Sequence, residues 1–199
     1  MNTLKAQLAP ALLLTAVLTV VLGLLYPLAV TGLARLIFPR QAAGSLLWRD
    51  GRIVGSRLLG QPFTGPGYFH SRPSAAGSAG YDPTATQGTN LGPTSRKLAE
   101  EVRAAAKAAQ AANPHRPVPI DLVTSSASGV DPHLSPAAAE FQVPRVARER
   151  HLPESLVRQL VAAHTEGRQL GVLGEPRVHL LELNLALLAL DAQRAPSRP

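Results

Sequence analysis

Residues 6–34 read AQLAPALLLTAVLTVVLGLLYPLAVTGLA, and this stretch decides how the rest of the chain is organised. It contains no Asp, Glu, Lys, Arg or His, and Leu, Val and Ala dominate it. About 20 apolar residues in a helix are enough to cross a hydrocarbon core of roughly 30 Å. Only a helix satisfies the backbone polar groups of such a segment in lipid. We therefore predict one transmembrane helix in residues 1–36, a soluble domain in residues 37–191 and a flexible tail in residues 192–199.

A cleaved signal peptide is the alternative interpretation of the same stretch. Signal peptides have an apolar region of about 7–15 residues that ends at a small-x-small site. The present run is about twice as long, and no Ala-x-Ala site closes it. We therefore expect a retained anchor in the lipid bilayer, with Pro27 kinking the helix or marking where it leaves the bilayer. A count of Arg35, Arg40, Arg49 and Arg52 against Lys5 places the soluble domain in the cytoplasm by the positive-inside rule.

Composition excludes several classes of function. The chain has no cysteine, so it forms no disulfide and offers no thiolate nucleophile or metal ligand. A His-x-x-x-His pair is also missing, and we predict no metal site. The net charge of +7 invites a nucleic-acid partner, but the arginines are scattered and aromatic residues make up only 4% of the chain. We therefore expect no binding of nucleic acid.

The soluble domain reads as α+β (mixed α/β), with a β-hairpin and several helices. Asp50-Gly51 between two β-like runs predicts a hairpin with a type I′ turn. We expect Trp48, in its first strand, to pack in the core. Helices are predicted from Thr94 to Ala112, from a Ser135 cap to Phe141 with a break or kink at Pro144, from Leu152-Pro153 towards Gly167, and from Val178 to Leu190, where Val178, Leu181, Leu185 and Leu188 share a stripe.

Residues 61–93 have no helical or strand periodicity and are rich in Gly, Pro, Ser, Thr and Asn. Loops of this length inside a compact domain are usually functional or disordered. Tyr68, His70 and Arg72 lie in this segment, and a mere tether needs no such residues. We therefore predict an ordered functional loop.

Two polar clusters are the candidates for chemistry. Ser128, Asp131 and His133 invite a catalytic-triad interpretation, and hence a membrane-tethered hydrolase, but geometry must decide a triad. No Gly-x-Ser-x-Gly elbow is present, and Ser and Asp-Pro in a loop also serve turns and caps. The second cluster is His164, Glu166 and Arg168. It is either a ligand site or a helix terminus at which Arg168 complements the helix dipole.

Several ordered blocks carry a resemblance to a known family. The sequence contains neither a phosphate-binding Gly-x-x-x-x-Gly-Lys loop nor an Asp-Lys-Thr-Gly phosphorylation motif. It closely resembles the KdpC subunit of the Kdp-type potassium-transporting ATPase of bacteria and archaea over nearly the whole chain. The blocks are Gly55-Ser-Arg-Leu-Leu-Gly-Gln61, Tyr68-Phe-His-Ser-Arg-Pro-Ser74, Asn90-Leu-Gly-Pro93, Val118-Pro-Ile-Asp-Leu-Val-Thr124, Ser126 to Ala138, His164-Thr-Glu-Gly-Arg168, Leu173-Gly-Glu-Pro-Arg177 and Leu181-Glu-Leu-Asn-Leu-Ala-Leu187.

The resemblance implies a non-catalytic subunit of a high-affinity potassium uptake complex in the bacterial inner membrane. Its partners would be a channel-like potassium-translocating subunit, a P-type ATPase subunit and a small single-helix subunit. The family is described as a catalytic chaperone that raises the affinity of the ATPase subunit for ATP. Its soluble domain is placed on the outer, periplasmic face, opposite to our charge count.

The resemblance also points to a candidate nucleotide-binding loop. The family often reads Ser-Gly-Gly-Ser-Asn-Leu where this chain has Thr86-Gln-Gly-Thr-Asn-Leu91. Gln87, Gly88 and Asn90 are thus the residues that would contact ATP. Replacement of one glycine by Gln87 weakens a backbone cradle for phosphate.

Overall fold

The computed structural model describes residues 2–194, and these residues form two compact units, one up to Leu46 and the other from Leu47. The mixed α+β fold with one N-terminal apolar helix is confirmed. In chain order the elements are α1 (Asn2–Val20), a π-helical turn (Val21–Leu25), α2 (Tyr26–Ile37), α3 (Pro39–Ala42), β1 (Leu46–Arg49), β2 (Arg52–Ser56), α4 (Arg96–Ala112), a 3₁₀ turn (Ile120–Leu122), β3 (His133–Leu134), α5 (Pro136–Glu149), α6 (Glu154–Ala163), β4 (Thr165–Glu166), β5 (Arg177–His179) and α7 (Leu180–Arg194).

The first unit is dominated by the apolar helix. A continuous helical stretch of 32 residues, Ala6–Ile37, has a mean hydropathy of 2.5 and no buried side chain. At 1.5 Å per residue it is about 48 Å long, more than a hydrocarbon core requires. The helix passes through Pro27 with one π-helical turn just before it, in which the Tyr26 N–H donates to the Val21 carbonyl. Because proline has no N–H, widening the preceding turn lets the helix continue past it.

The second unit begins with the predicted hairpin. Asp50 and Gly51 have φ angles of +50° and +74°, as a type I′ turn requires, so this prediction is confirmed. The prediction that Trp48 packs in the core is wrong, because 64% of its surface is exposed. The reason is that β1 and β2 form a two-stranded sheet of their own, separate from the sheet β3-β5-β4 that borders the core.

The core lies between α5, α6, α7 and the antiparallel sheet β3-β5-β4. Its fully buried side chains include Val143, Val157, Val178 and Leu183. Helix α5 runs through Pro144 without ending there, contrary to the predicted break. Burial of Val143 and Val146 on either side of the proline holds this turn in place, and tertiary packing of this kind offsets the lost backbone hydrogen bond.

Two predictions near the C-terminus are corrected. Val178 lies in β5 and not in the last helix, which starts at Leu180 and includes residues 192–194 of the predicted tail. Val178 is extended because it pairs with β3 on one side and β4 on the other, a long-range pairing that local periodicity does not report. The predicted stripe is also shifted, since Leu185 and Leu188 are only half-buried. The buried leucines of α7 are Leu180, Leu181, Leu183 and Leu187. The rest of the tail, residues 195–199, lies outside the described residues.

Two buried amide side chains hold the long loop on the helices, and we call Gln142 and Asn184 the amide clamp. Asn184 of α7 is fully buried; its Oδ1 accepts from the Phe69 N–H at 2.9 Å, and its Nδ2 donates to the Phe69 carbonyl at 3.0 Å. Gln142 of α5 does the same for His70, at 2.7 Å and 3.0 Å. Each amide thus pairs with one residue of the loop as a neighbouring β-strand would, which lets Phe69 enter the core with its backbone satisfied.

Replacing one arm of the clamp with an apolar side chain of similar size tests its importance. Asn184→Leu leaves the N–H and carbonyl of Phe69 buried without partners, and each unpaired group costs about 1–3 kcal/mol. We expect the free energy of unfolding of the full chain in detergent, measured by urea titration and circular dichroism, to fall by roughly 2–4 kcal/mol. Gln87→Leu is the matched control, because the Gln87 amide makes one exposed bond to the Ala75 carbonyl that water replaces. Equal losses in the two variants would contradict the clamp.

Candidate functional site

The sheet β3-β5-β4 has one apolar and one polar face. Val178 and Leu134 are buried in the core, and their strand neighbours belong to the opposite face because strand side chains alternate. His133 lies opposite His179 in the register, and their rings meet edge to face with centroids 5.3 Å apart. Glu166 lies opposite Arg177, and the two form an ion pair of 2.8 Å. We call His133, Glu166, Arg177 and His179 the polar face.

Arg57, which directly follows the hairpin, binds to the polar face. Its guanidinium lies 3.1 Å from Glu166 and 2.8 Å from Glu182. Its carbonyl accepts a hydrogen bond from His179 Nε2 at 2.9 Å. Since His179 Nδ1 accepts from the Glu182 N–H at 3.3 Å, the proton of the neutral ring is on Nε2. Burial lowers the pKa of His179 and stabilises this neutral form, although the bond to Arg57 opposes the shift.

Arg72 ties the long loop to the segment that precedes β3. Its guanidinium lies 3.2 Å from Asp131 and donates to the carbonyls of Thr124 and Ser125 at 3.4 Å each. The Tyr81 hydroxyl donates to the Arg72 carbonyl at 2.5 Å. Burial raises the pKa of Asp131, but hydrogen bonds from His133 and the charge of Arg72 outweigh it, so this pKa lies below its ordinary value. Asp131 is therefore a charged structural partner at neutral pH.

The triad interpretation of Ser128, Asp131 and His133 does not fit this geometry. The exposed Ser128 hydroxyl accepts from the Val130 N–H at 3.2 Å, as a turn-forming serine does. Asp131 Oδ1 lies 3.7 Å from His133 Nδ1, and the His133 ring packs against His179. Among the hydrogen bonds of residues 2–194, none joins Ser128 to His133. A hydrolase would require that bond or an approach to it.

Tyr68 and His70 lie on either side of the amide-clamped Phe69. The Arg150 guanidinium stacks 4.7 Å above the Tyr68 ring, and it also contacts the Gly67 carbonyl and Asp191. His70 Nε2 donates to the Gly65 carbonyl at 2.9 Å. Burial lowers the pKa of His70 against the effect of this bond, and the Arg145 charge lowers it further. Both side chains therefore shape the loop on itself.

The cluster of His164, Glu166 and Arg168 is divided among three environments. Helix α6 ends at Ala163, and His164 Nδ1 donates to the Leu160 carbonyl at 2.9 Å. Glu166 lies in β4, where burial raises its pKa but the hydrogen bond and charge of Arg177 outweigh this and lower it. The prediction that Arg168 complements a helix dipole is wrong, because the helix has already ended. Arg168 instead makes bonds of 2.9 and 2.8 Å to the two carboxylate oxygens of Glu175.

Gln87, Gly88 and Asn90 border a cleft of about 520 Å³, within the usual range of small-molecule sites. The first turn of α4 forms another wall, and Lys97 and Glu101 from that helix also line the cleft. The Gln87 amide, however, donates to the Ala75 carbonyl at 2.9 Å. A Cβ on Gly88 would lie 3.1 Å from the Ala127 carbonyl oxygen, so close backbone packing also explains this glycine.

Sequence reasoning missed several residues that organise the site. Arg57, Arg177 and Asn184 lie inside blocks that carry the family resemblance, but no motif assigned them a role. Asn184 offered a signal of its own, since an amide within the leucine-rich run Leu181–Leu187 is unusual for a buried helix face. His179 gave no signal, because only the strand register places it beside His133.

The arrangement of these groups indicates the class of protein. Charged and polar side chains pair with one another or with loop carbonyls, and the side chains that the structure describes include no cluster of three or more His, Asp or Glu residues suited to a metal. Together with the apolar helix, this defines a domain with one membrane-spanning-length segment and a rigid polar body.

Comparison with known proteins identifies the family. Residues 8–189 match the family model described as the c chain of the K+-transporting ATPase. A potassium-transporting ATPase KdpC subunit from Koribacter versatilis is 57% identical over 184 residues, covering 92% of this chain and 95% of that protein. A KdpC subunit from Polaromonas naphthalenivorans is 57% identical over 195 residues, covering 97% of this chain and all of its own length. This chain therefore belongs to the KdpC family, as the sequence blocks predict.

The buried histidine predicts how stability depends on pH. The unfolded chain binds a proton at His179 near the ordinary histidine pKa of 6.5, whereas burial lowers the pKa in the folded chain. The free energy of unfolding is therefore higher above this pH and falls as the pH drops below it. We expect His179→Gln to show a smaller fall between about pH 7.5 and 5.5 in urea titrations, with the remaining fall due to His70. His115→Gln, at an exposed histidine, is the control, and an equal effect of both variants would contradict this prediction.

Proposed function

We propose that this chain is a non-catalytic subunit of an ATP-driven potassium uptake complex, which it stabilises and in which it raises the ATP affinity of the ATPase subunit. Family membership supports the complex. The observation that carries the accessory role is the pairing of Arg57, Arg72 and Glu166 within the domain, which leaves them holding shape. The occupied Ser128 hydroxyl argues in the same direction against a hydrolase.

The partners we propose are the channel-like potassium-translocating subunit, the P-type ATPase subunit and the small single-helix subunit. The relatives are named as subunits of a potassium-transporting ATPase, and the apolar helix of 32 residues gives this chain a means to assemble with them in the bilayer. An anchor confines the soluble domain near its partners. Confinement raises the effective concentration, so modest contacts are sufficient for assembly.

The soluble domain is proposed to lie on the outer face of the inner membrane. The charge count of the flanking arginines opposes this side, but long domains translocate largely regardless of such charges. The family resemblance favours the outer side. In this orientation the chain would act on cytoplasmic ATP binding through the conformation of the ATPase subunit. Any subunit that favours the state with high ATP affinity raises that affinity by linkage, wherever it binds.

Direct contact with ATP is the second route by which the chain would raise ATP affinity. In the described part of the chain, no protein group accepts from the backbone N–H groups of Gly88, Thr89 and Asn90, so they are free to donate to a phosphate. Lys97 adds a positive charge to the same cleft. Glu101 lies 3.9 Å from Lys97 and weakens that charge. The cleft therefore favours at most weak nucleotide binding.

Removal of the chain tests the accessory function. We expect cells that lack it to lose growth at micromolar potassium and to regain it when the full chain is supplied. ATPase activity of the remaining purified subunits should require more ATP for half-maximal rate. Unchanged uptake and unchanged ATP dependence would overturn the proposal.

Titration with nucleotide tests the direct route. We expect Mg·ATP added to the full chain in detergent to give calorimetric heat only at millimolar concentration, with affinity falling about threefold to tenfold in Lys97→Gln through loss of one charge. Lys107→Gln is the matched control, because this lysine lies on α4 away from the residues that line the cleft. No heat in the unaltered chain, or equal effects of both substitutions, would reject direct contact and leave the linkage route.

A further inference from the structure

An exposed loop between β4 and β5 presents apolar side chains to solvent, and we call residues 168–175 the apolar finger. Leu170, Val172 and Leu173 are 90%, 73% and 56% exposed. Every residue from 167 to 176 is exposed, so the finger stands away from the core. Single exposed apolar residues are common on protein surfaces, but three within four positions at one tip are not explained by that general rule.

The finger has a defined shape although it packs on nothing. Gln169 and Leu173 pair as in an antiparallel ladder, with two N–H···O bonds of 2.9 Å each. At its base, Arg168 binds Glu175 through both carboxylate oxygens. These contacts fix the direction in which Leu170 and Val172 point, and a preformed loop loses less conformational entropy when it binds.

The backbone of the tip is strained without a return in stability. Leu170 has a φ angle of +53°, in the left-handed region where a leucine costs on the order of 1 kcal/mol. An exposed leucine there buries no area that would offset this cost. Asparagine or glycine suits the position better for folding alone. Strain that the fold does not use points to a role in recognition.

Size and charge together determine what covers the finger. A stable dimer of two free chains buries roughly 800 Å² per partner, far more than three aliphatic side chains supply. Segments that bind a membrane surface combine aromatic residues with free lysines or arginines. The finger has no aromatic residue, and its one arginine is neutralised by Glu175. A small, uncharged, preformed apolar tip suits a pocket on a protein that is already held nearby.

We propose that the apolar finger inserts Leu170 and Val172 into an apolar pocket on another subunit of the transport complex. This inference rests on the proposed function, which supplies a partner anchored in the same membrane. Confinement in one bilayer makes such a small anchor sufficient. Arg168 and Glu175 form the polar rim around the inserted tip.

A single cysteine in the finger tests the proposal, because the natural chain has none. Tagged full-length chain carrying Val172→Cys is purified with the other subunits, and separately alone in the same detergent. Each preparation is treated with a polyethylene-glycol maleimide, and labelling of the tagged chain is followed by gel shift. We expect labelling at residue 172 to be at least about tenfold slower in the complex, because a covered side chain reacts only after local opening. Ser78→Cys, at an exposed polar position of the long loop, is the control and should label at equal rates in both preparations.

A second variant measures the contribution of the apolar tip. Leu170→Asn combined with Val172→Asp keeps a residue that tolerates the left-handed conformation and removes the apolar surface. We expect urea unfolding of the full chain to be unchanged, since both side chains are exposed. Retention of the chain with the other subunits during detergent washing should fall about tenfold or more, as when a central anchor is lost from an interface. The matched substitution Leu58→Asn, at a leucine that is 61% exposed, should leave retention unchanged.

Each other result overturns the proposal. Equal labelling of residue 172 in the complex and alone, with potassium uptake intact, refutes the finger contact and leaves the proposed function standing. Protection of residue 172 when the chain alone is placed in vesicles of anionic phospholipid identifies a membrane contact instead. A disulfide between two copies of the Val172→Cys chain alone identifies self-association. If the unaltered chain does not purify with the other subunits, the proposed function and this inference both fail.

Discussion

The structure of the soluble domain depends on the pairing of two side-chain amides with the backbone of Phe69 and His70. Residues 57–95 contain no helix or strand, yet Phe69 and Ala76 of this segment are fully buried. A buried backbone without a ladder must obtain its hydrogen bonds elsewhere. Gln142 and Asn184 provide them from two different helices. The long loop is therefore part of the core architecture, and the helices α5 and α7 are held together through it.

Arginines complete what the amides begin, which explains their number and their scatter along the sequence. Arg150 holds Gly67 and Tyr68, Arg72 holds the segment before β3, and Arg57 holds the polar face of the sheet. A planar guanidinium with five donors binds several carbonyls and carboxylates at once, which a lysine does not. Much of the positive charge is thus engaged in internal contacts, and this accounts physically for a basic protein with no concentrated basic patch in its sequence.

The same contacts explain why residues that suggest catalysis perform none in the described geometry. Ser128, Asp131 and His133 are close in sequence, but each has a separate local role, namely a turn, an ion pair with Arg72 and an edge-to-face contact with His179. A nucleophile needs an unoccupied hydroxyl and a base aimed at it. Rigid loops with satisfied polar groups instead suit a subunit that presents a fixed surface. The apolar finger, which has a fixed shape and no internal partner, is the clearest surface of this kind among the described residues.

Local sequence was sufficient for the parts whose physics is local. A long apolar run determines a spanning-length helix, Asp50-Gly51 determines a type I′ turn, and Ser135-Pro136 determines a helix start, because each depends on neighbouring residues alone. Family blocks in the sequence also identified the protein. Tertiary structure alone decided that Trp48 is exposed, that Val178 is a central strand residue, and that His133 meets His179. These outcomes follow from pairings between segments tens of residues apart, whose free energy appears only when both partners are in place, so no local pattern encodes them.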